Sequence, residues 1–217
     1  AARHRLFVDM HGSYTPKGLY RTYPNLLTYE GVLGMEQGAR CKPENSNWLP
    51  FIRNAVGPMD FTPGSMFSAQ PEDNRSTGAN PMGTGTRAYQ MALYVVFESP
   101  LQMLADNPVL YRREHPCTEF LAAVPTTWDS LRVLHAACGR EVVVARRKGD
   151  KWYVGGITND RPYTTEIALD FLPAGRTFTM TSFEDGVNAD LQATDYRKRV
   201  REVDASTVVK VEMVRNG

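Results

Sequence analysis

The 217-residue chain is short of most features that would place it in a special class. Its three cysteines, Cys41, Cys117 and Cys138, are an odd number without metal-ligand spacing. They exclude a disulfide framework as the organising principle, and the thiols are expected to be unpaired. No apolar run in the sequence approaches the roughly 18 residues that a membrane-crossing helix needs. Neither sign of charge is in excess: 25 Lys and Arg face 24 Asp and Glu, a formal net charge of +1. That balance excludes a nucleic-acid surface built on bulk charge. Repeats, low-complexity tracts and a signal-peptide pattern are also missing. The chain opens at Ala1 without Met and enters a strand almost at once, so its start reads as a cut end. What is present is 42% apolar, enough for a packed core in one large or two small domains.

Periodicity divides the chain. Leu6 to His11 alternates, with Phe7, Asp9 and His11 on one face of a strand and Leu6, Val8 and Met10 on the other. Gly12 to Asn47 is punctuated by Gly, Pro and Asn, with room for a short strand within Leu26–Gly34. Trp48–Asp60 reads as a helical turn followed by a short strand ending at Asp60. Phe61–Gly85 is long, polar and rich in Gly and Pro, a loop of functional or disordered character. Thr86–Phe97 carries apolar residues at helical spacing (Ala88, Met91, Ala92, Val95, Val96). Pro108–Ala123 reads as a further helix. Beyond Ala137 the texture changes to short β-rich runs, two of them joined by Lys148-Gly149-Asp150-Lys151, a hairpin signal. Short strands at regular spacing point to an antiparallel sandwich, so the expected domains are 1–137 (α/β) and 138–217 (all-β).

Strand ends that carry Asp9 and His11, then Glu30 and Glu36, then Asp60 are arranged as in a (β/α) barrel, whose reactive groups lie at the C-terminal ends of strands. About four strands are available, half a barrel. Paired carboxylates suit glycoside hydrolysis, one donating a proton and the other attacking or activating water. Glu36, set among Gly, Leu and Met in "EGVLGMEQGA", would have a raised pKa if partly desolvated, as a general acid needs; the alternative is an ordinary solvated loop residue. Glu30 and Glu36 could share a hard cation such as Ca2+. His11 could bond a sugar hydroxyl or be structural, and Arg21 could orient a carboxylate or be a surface residue. Asp60 could bind substrate hydroxyls or cap a turn. Tyr14, Tyr20, Tyr23, Trp48 and Phe61 are candidates for stacking on sugar faces or for packing.

The strings "DMHGSYTPKGLYRTYPNLLTYEGVLGMEQ", "LPFIRNAVGPMDFTPGSM" and "TRAYQMALYVVFESPLQMLADNP" resemble glycoside hydrolase family 97. The likeness extends through "VPTTWDSLRVL", "VVVARRKGDKWYVGGITN" and "FEDGVNADLQATDYRKR", and so covers nearly the whole chain. It implies an enzyme on α-glycosides, with an N-terminal β-sandwich, a central (β/α)8 barrel, a C-terminal β-domain and Ca2+ at the active site. By this resemblance the chain starts near the fifth barrel strand, as a C-terminal fragment. Residues 1–137 are then the second half of the barrel and 138–217 a C-terminal antiparallel β-sandwich.

Carried over by residue, Glu36 falls on the general acid and Glu30 on a calcium-ligand position, with Glu36 on or near the metal. His11, Asp60 and Arg21 are the candidate substrate-binding residues. The inverting α-glucosidase branch carries a Glu after the His; Gly12 stands there, as in the retaining, α-galactosidase-like branch. That branch draws an Asp nucleophile from the end of strand four, upstream of Ala1. Asp9 is rejected for this role, because family members commonly carry Asn at its position. The implied function is a retaining exo-acting α-galactosidase that cleaves terminal α-galactosides of an oligosaccharide or α-glycoside by double displacement; the fragment alone is expected to be inactive. The alternatives are an inverting α-glucosidase of the family and a non-catalytic carbohydrate-binding or structural domain. The resemblance also implies a periplasmic or secreted location.

Overall fold

The computed structural model describes residues 1–78 and 80–217; Ala79, within the expected long loop, lies outside the described residues. Two short strands, β1 (Val8–Met10) and β2 (Leu26–Tyr29), pair in parallel. Tyr29 bridges in parallel to Met59, so a third segment continues the same layer. The Glu30 N–H donates to Met10 O at 3.1 Å and the Asp60 N–H to Tyr29 O at 2.9 Å. These bonds hold three chain ends side by side: His11, Glu30 and Asp60 each follow the last paired residue of their segment.

Two one-turn helices, α1 (Pro43–Ser46) and α2 (Leu49–Ile52), lie between the second and third segments. The long segment Phe61–Gly85, expected to be a polar loop of functional or disordered character, has internal structure. It contains the parallel pair β3 (Ser68–Ala69) and β4 (Gly83–Thr84), and Phe61, Ser65, Met66 and Gln70 are buried. Its main chain is satisfied from within: the Gln90 Oε1 accepts from the Gly64 and Ser65 N–H groups, and Asp106 Oδ2 accepts from the Phe67 N–H at 3.0 Å. Internal donors and acceptors replace the water that a surface loop would use.

The expected long helix is α3 (Arg87–Val96), with Thr86 as N-cap accepting from the Tyr89 N–H at 3.0 Å. The second expected helix is divided into α4 (Pro108–Arg113) and α5 (His115–Ala123). Glu114 breaks it, with φ −97° and ψ 46° outside the helical region, two residues before the Pro116 ring that lacks an N–H.

Seven strands complete the chain. β5 (Ser130–Ala137), β6 (Glu141–Lys148) and β7 (Lys151–Thr158) form one antiparallel sheet in that order. β8 (Tyr163–Ala168) pairs with β11 (Val208–Met213), and β9 (Phe178–Asp185) with β10 (Tyr196–Val203), all antiparallel. The change from helix to strand thus comes at Ser130, ahead of the division placed at residue 138, because β5 is the edge partner of β6. The architecture is mixed α/β with several antiparallel sheets; among the described residues the parallel part amounts to the three segments of the first layer and the β3–β4 pair.

Two cores meet at β6. Val142 and Val144 pack with α3 and with Phe61, Phe97 and Met66, whereas Val143 and Ala145 pack with Ile167, Val209 and Met213. A strand covered on both faces needs a continuous apolar run, which is what Val142–Ala145 supplies. All three cysteines are free, Cys41 and Cys117 buried and Cys138 exposed.

The contact between α3 and β7 depends on one small residue. A Cβ at Gly155 would come within 2.9 Å of Val95 Cβ and 3.0 Å of Ala92 O. Gly155→Ala is expected to push the helix from the sheet and to lower stability by about 1–3 kcal/mol. A urea midpoint equal to that of the parent would show that the two portions are not joined there.

Candidate active site

The site is assembled from the three parallel chain ends and one turn. Glu36 sits on the 3-10 turn Met35–Arg40. The buried Met35 anchors that turn, its N–H donating to Phe61 O at 2.8 Å. Gly34 permits the approach, since a Cβ there would meet Phe61 O at 2.8 Å. The turn is thereby tied to the strand end that carries Asp60.

His11 is the hub. Its Nδ1 lies 2.9 Å from Asp60 Oδ2, and its Nε2 lies 3.2 Å from Glu36 Oε1 and 3.9 Å from Glu30 Oε1. The second oxygen of Glu30 accepts from the Gly12 N–H at 2.6 Å. Gly12 takes a left-handed φ of +65°, which turns that N–H toward the carboxylate. Asp60 Oδ1 accepts from the Thr62 hydroxyl at 3.3 Å. Thr62 itself has φ 59°, a conformation strained for a β-branched residue and placed next to the site.

The electrostatics follow from burial. Burial, then the hydrogen bond and like charge of Asp60, push the Asp9 carboxyl up to about 7. A neutral Asp9 can donate to Asp60, and its Oδ1 is buried without a partner. The His11 imidazole is raised above its ordinary value, chiefly by its bond to Asp60 and further by the Glu30 and Glu36 charges, against the opposing effect of desolvation.

The expected site residues fare differently. His11, Glu30, Glu36 and Asp60 are brought together. Asp60, expected to bind substrate, has a side chain that is 1% exposed, one oxygen meeting the His11 imidazole and the other the Thr62 hydroxyl. Arg21 lies on an exposed turn and, among the described residues, makes no ion pair with the cluster. Glu36 has a side chain that is 41% exposed, with the His11 imidazole beside it. Tyr14, Tyr20 and Tyr23 are exposed. Phe61 is buried and packed edge-on against Phe97, and Trp48 is exposed, with one part of its ring against Gly139.

One residue escaped the sequence reading: the buried Arg53, which donates to main-chain carbonyls of the strand ends and so leaves no pairing signal in the sequence. For a metal, the chemistry of the donors is suitable. His11 Nε2 and one oxygen each from Glu30 and Glu36 lie within 4.8 Å of one another. Two carboxylates fit a hard, oxygen-seeking cation, with the imidazole beside them as a hydrogen-bonding group.

Comparison with known proteins bears on what this arrangement serves. A family model described as "Glycoside hydrolase 97" matches residues 1–32, and one described as "Glycosyl-hydrolase 97 C-terminal, oligomerisation" matches residues 127–217, together more than half of the chain. The "Retaining alpha-galactosidase" of Bacteroides thetaiotaomicron is 42% identical over 221 residues, which cover 100% of this chain and 33% of that protein. Among solved structures, a family 97 enzyme variant of Pseudoalteromonas sp. strain K8 in complex with panose superposes with a TM-score of 0.89 at 35% identity. The enzyme of the same strain in complex with acarbose gives 0.86 at 37% identity; each alignment covers 100% of this chain and 34% of the other. The chain therefore spans about a third of the length of these relatives.

A raised carboxyl pKa has a definite sign in stability. An Asp that titrates at about 7 when folded and at an ordinary 3.8 when unfolded costs nothing below the lower value. It destabilises the fold progressively as pH rises between the two, and fully above the upper one. Asp9→Asn keeps a donor for Asp60 and removes the ionisation. Its melting temperature is expected to match the parent at low pH and to exceed it by a few degrees at pH ~8. A difference independent of pH would contradict the buried, neutral Asp9.

Proposed function

We propose, from the premise that this chain belongs to glycoside hydrolase family 97, that it carries the acid/base half of a retaining exo-acting α-glycosidase, an α-galactosidase in substrate class. The observation that carries the reading is the placement of Glu36. Its half-exposed carboxyl stands 3.2 Å from an imidazole that a buried Asp fixes from behind. A general acid needs this combination of access for a leaving group and a fixed neighbour. We read residues 1–137 as the second half of a (β/α)8 barrel and residues 138–217 as a β-sandwich. The three parallel chain ends that meet at the site, and the antiparallel sheets that follow, support this reading.

In the proposed reaction Glu36 first gives its proton to the glycosidic oxygen as the aglycone leaves. It then takes a proton from water, which releases the sugar with retained configuration. The displacement needs a second carboxylate as nucleophile. Asp9 does not suit, because its carboxyl is pushed up to about 7 and its Oδ1 is buried, and Asp60 does not suit, because its oxygens are bonded to His11 and Thr62. The nucleophile is assigned to a part of the enzyme outside these residues. Glu30 and Glu36 are the residues that would hold Ca2+, whose charge when bound would polarise the site. Glu30 is prepared for this, one oxygen held by the Gly12 N–H and the other turned toward the cluster. No helix among the described residues is long and apolar enough to cross a membrane, and a periplasmic or secreted setting is proposed from the family.

A second reading, an inverting α-glucosidase, is favoured by the panose and acarbose complexes of the structural relatives. It would require a carboxylate at position 12 to activate water, and Gly12 offers only its main chain. The two readings differ in product. With the enzyme at its natural length and a terminal α-galactoside, proton NMR of the first product is expected to show the α-anomer. Glu36→Gln is expected to lower kcat by at least about a hundredfold. A β-anomer as first product would favour inversion, and an unchanged kcat in the variant would remove Glu36 from the chemistry.

A further inference from the structure

We propose that Arg53 is a positioning residue for this site, its buried guanidinium locking the strand end that bears Glu30 to the segment that leads into Asp60. The inference rests on the reading of the carboxylate–imidazole cluster as an active site. Arg53 is 4% exposed and follows α2 directly. All five of its contacts are to main-chain oxygens. Nε donates to Gly31 O at 3.2 Å and Nη1 to Gly57 O at 2.9 Å. Nη2 reaches Tyr29 O, Glu30 O and Pro58 O, each at 3.1 Å. Two chain segments, 29–31 and 57–58, thus converge on one planar cation.

Among the described residues no carboxylate forms an ion pair with Arg53, so charge neutralisation does not explain its burial. Carbonyl satisfaction does. Glu30 O, Gly31 O and Pro58 O receive no other donor among the described residues, and each would lose its protein partner without the guanidinium. The backbone is shaped to present them: Gly31 has φ +46° and Gly57 φ +136°, conformations that favour glycine. A side chain at Gly31 would also strike the main chain of Tyr14, with a Cβ 2.8 Å from its carbonyl carbon.

The consequence for the site is geometric. Glu30 binds the Gly12 N–H with one oxygen and faces His11 with the other, and Asp60 lies two residues past Pro58. A clamp that fixes Glu30 O against Pro58 O fixes the separation of the Glu30 and Asp60 side chains, and with it the orientation of the imidazole they share. A fork of five N–H donors is needed; the three donors of a Lys ammonium on a flexible stem cannot reach both segments in one plane.

The test uses Arg53→Lys in the enzyme at its natural length, with Gly155→Ala as a variant that destabilises the fold far from the cluster. Arg53→Lys is expected to lower kcat about a hundredfold while KM stays within about threefold, the mark of misplaced reacting groups. In the same variant, hydrogen exchange read by mass spectrometry on the peptide containing Gly12 is expected to be at least about tenfold faster, because the Glu30 acceptor moves. Gly155→Ala should leave both within about twofold at temperatures where it is folded. If Arg53→Lys does not fold, Gly57→Ala is measured by the same two readouts, since a side chain at that φ turns the carbonyl from Nη1. Parent-like kcat and Gly12 exchange in the clamp variant would overturn the proposal, as would equal changes in Gly155→Ala. A parent enzyme that hydrolyses no glycoside would defeat the functional reading, and the Gly12 exchange would still judge the clamp.

Discussion

The hydrogen bond between the His11 imidazole and the buried Asp60 carboxylate, 2.9 Å long, is the interaction on which the site depends. It decides which ring nitrogen faces the open side, and so which nitrogen meets Glu36 and Glu30. It also concentrates four acids (Asp9, Glu30, Glu36 and Asp60) and one base in a space where not all can be charged. The neutral Asp9 behind Asp60 is the compromise: one proton between two neighbouring carboxyls relieves their repulsion and leaves Asp60 free to accept from the imidazole. Glu36, at the exposed end of this chain of contacts, is the member with access to an incoming molecule.

The rest of the fold supplies rigidity to that arrangement. The third chain end bends directly into Phe61, which is buried against Phe97 at the end of α3. The helix is in turn gripped at both ends by the β-rich portion. At its start, the Thr86 N–H donates to Asn216 O at 2.9 Å and the Arg87 N–H to Ala193 O at 2.7 Å, so main-chain carbonyls from the segment after β11 and from the β9–β10 connection satisfy donors the helix leaves open. At its end, Arg146 of β6 reaches Val96 O and pairs with Glu98. The sheets are therefore joined to the layer that carries the site, and α3 is the element that joins them.

Legibility from sequence followed the strength of local signals. The α3 helix and the β6–β7 hairpin were readable because helical spacing at Ala88–Val96 and the turn Gly149-Asp150 are set by neighbouring residues. The alternation that placed Asp9 and His11 on one face was sufficient to group them, and both do meet Asp60. β10 was not seen, because Tyr196–Val203 is dominated by Arg, Lys and Glu; it is an exposed strand paired along one side, where charge is tolerated and deters further pairing. The break at Glu114 carries no Gly and precedes its Pro, so one helix was read where two exist. The burial of Asp60 was illegible for a different reason: an Asp after Gly-Pro has the signature of a surface turn, and only the parallel bridge from Tyr29 to Met59, a contact remote in sequence, takes it inside. Glu36 and Glu30 were reached through family resemblance, since two glutamates in a Gly-rich segment specify little alone.

The central claim is that Asp60 fixes the tautomer of His11, and nitrogen NMR of the enzyme labelled at its histidine rings tests it directly. The His11 resonances are those that a His11→Gln variant removes. Through a pH titration, Nδ1 of His11 should remain protonated throughout, while Nε2 loses its proton at a pH above the ordinary imidazole value. An imidazole that keeps its proton on Nε2 and loses it from Nδ1 would contradict the account, because the nitrogen facing Glu36 and Glu30 would then be a fixed donor and Asp60 would hold nothing.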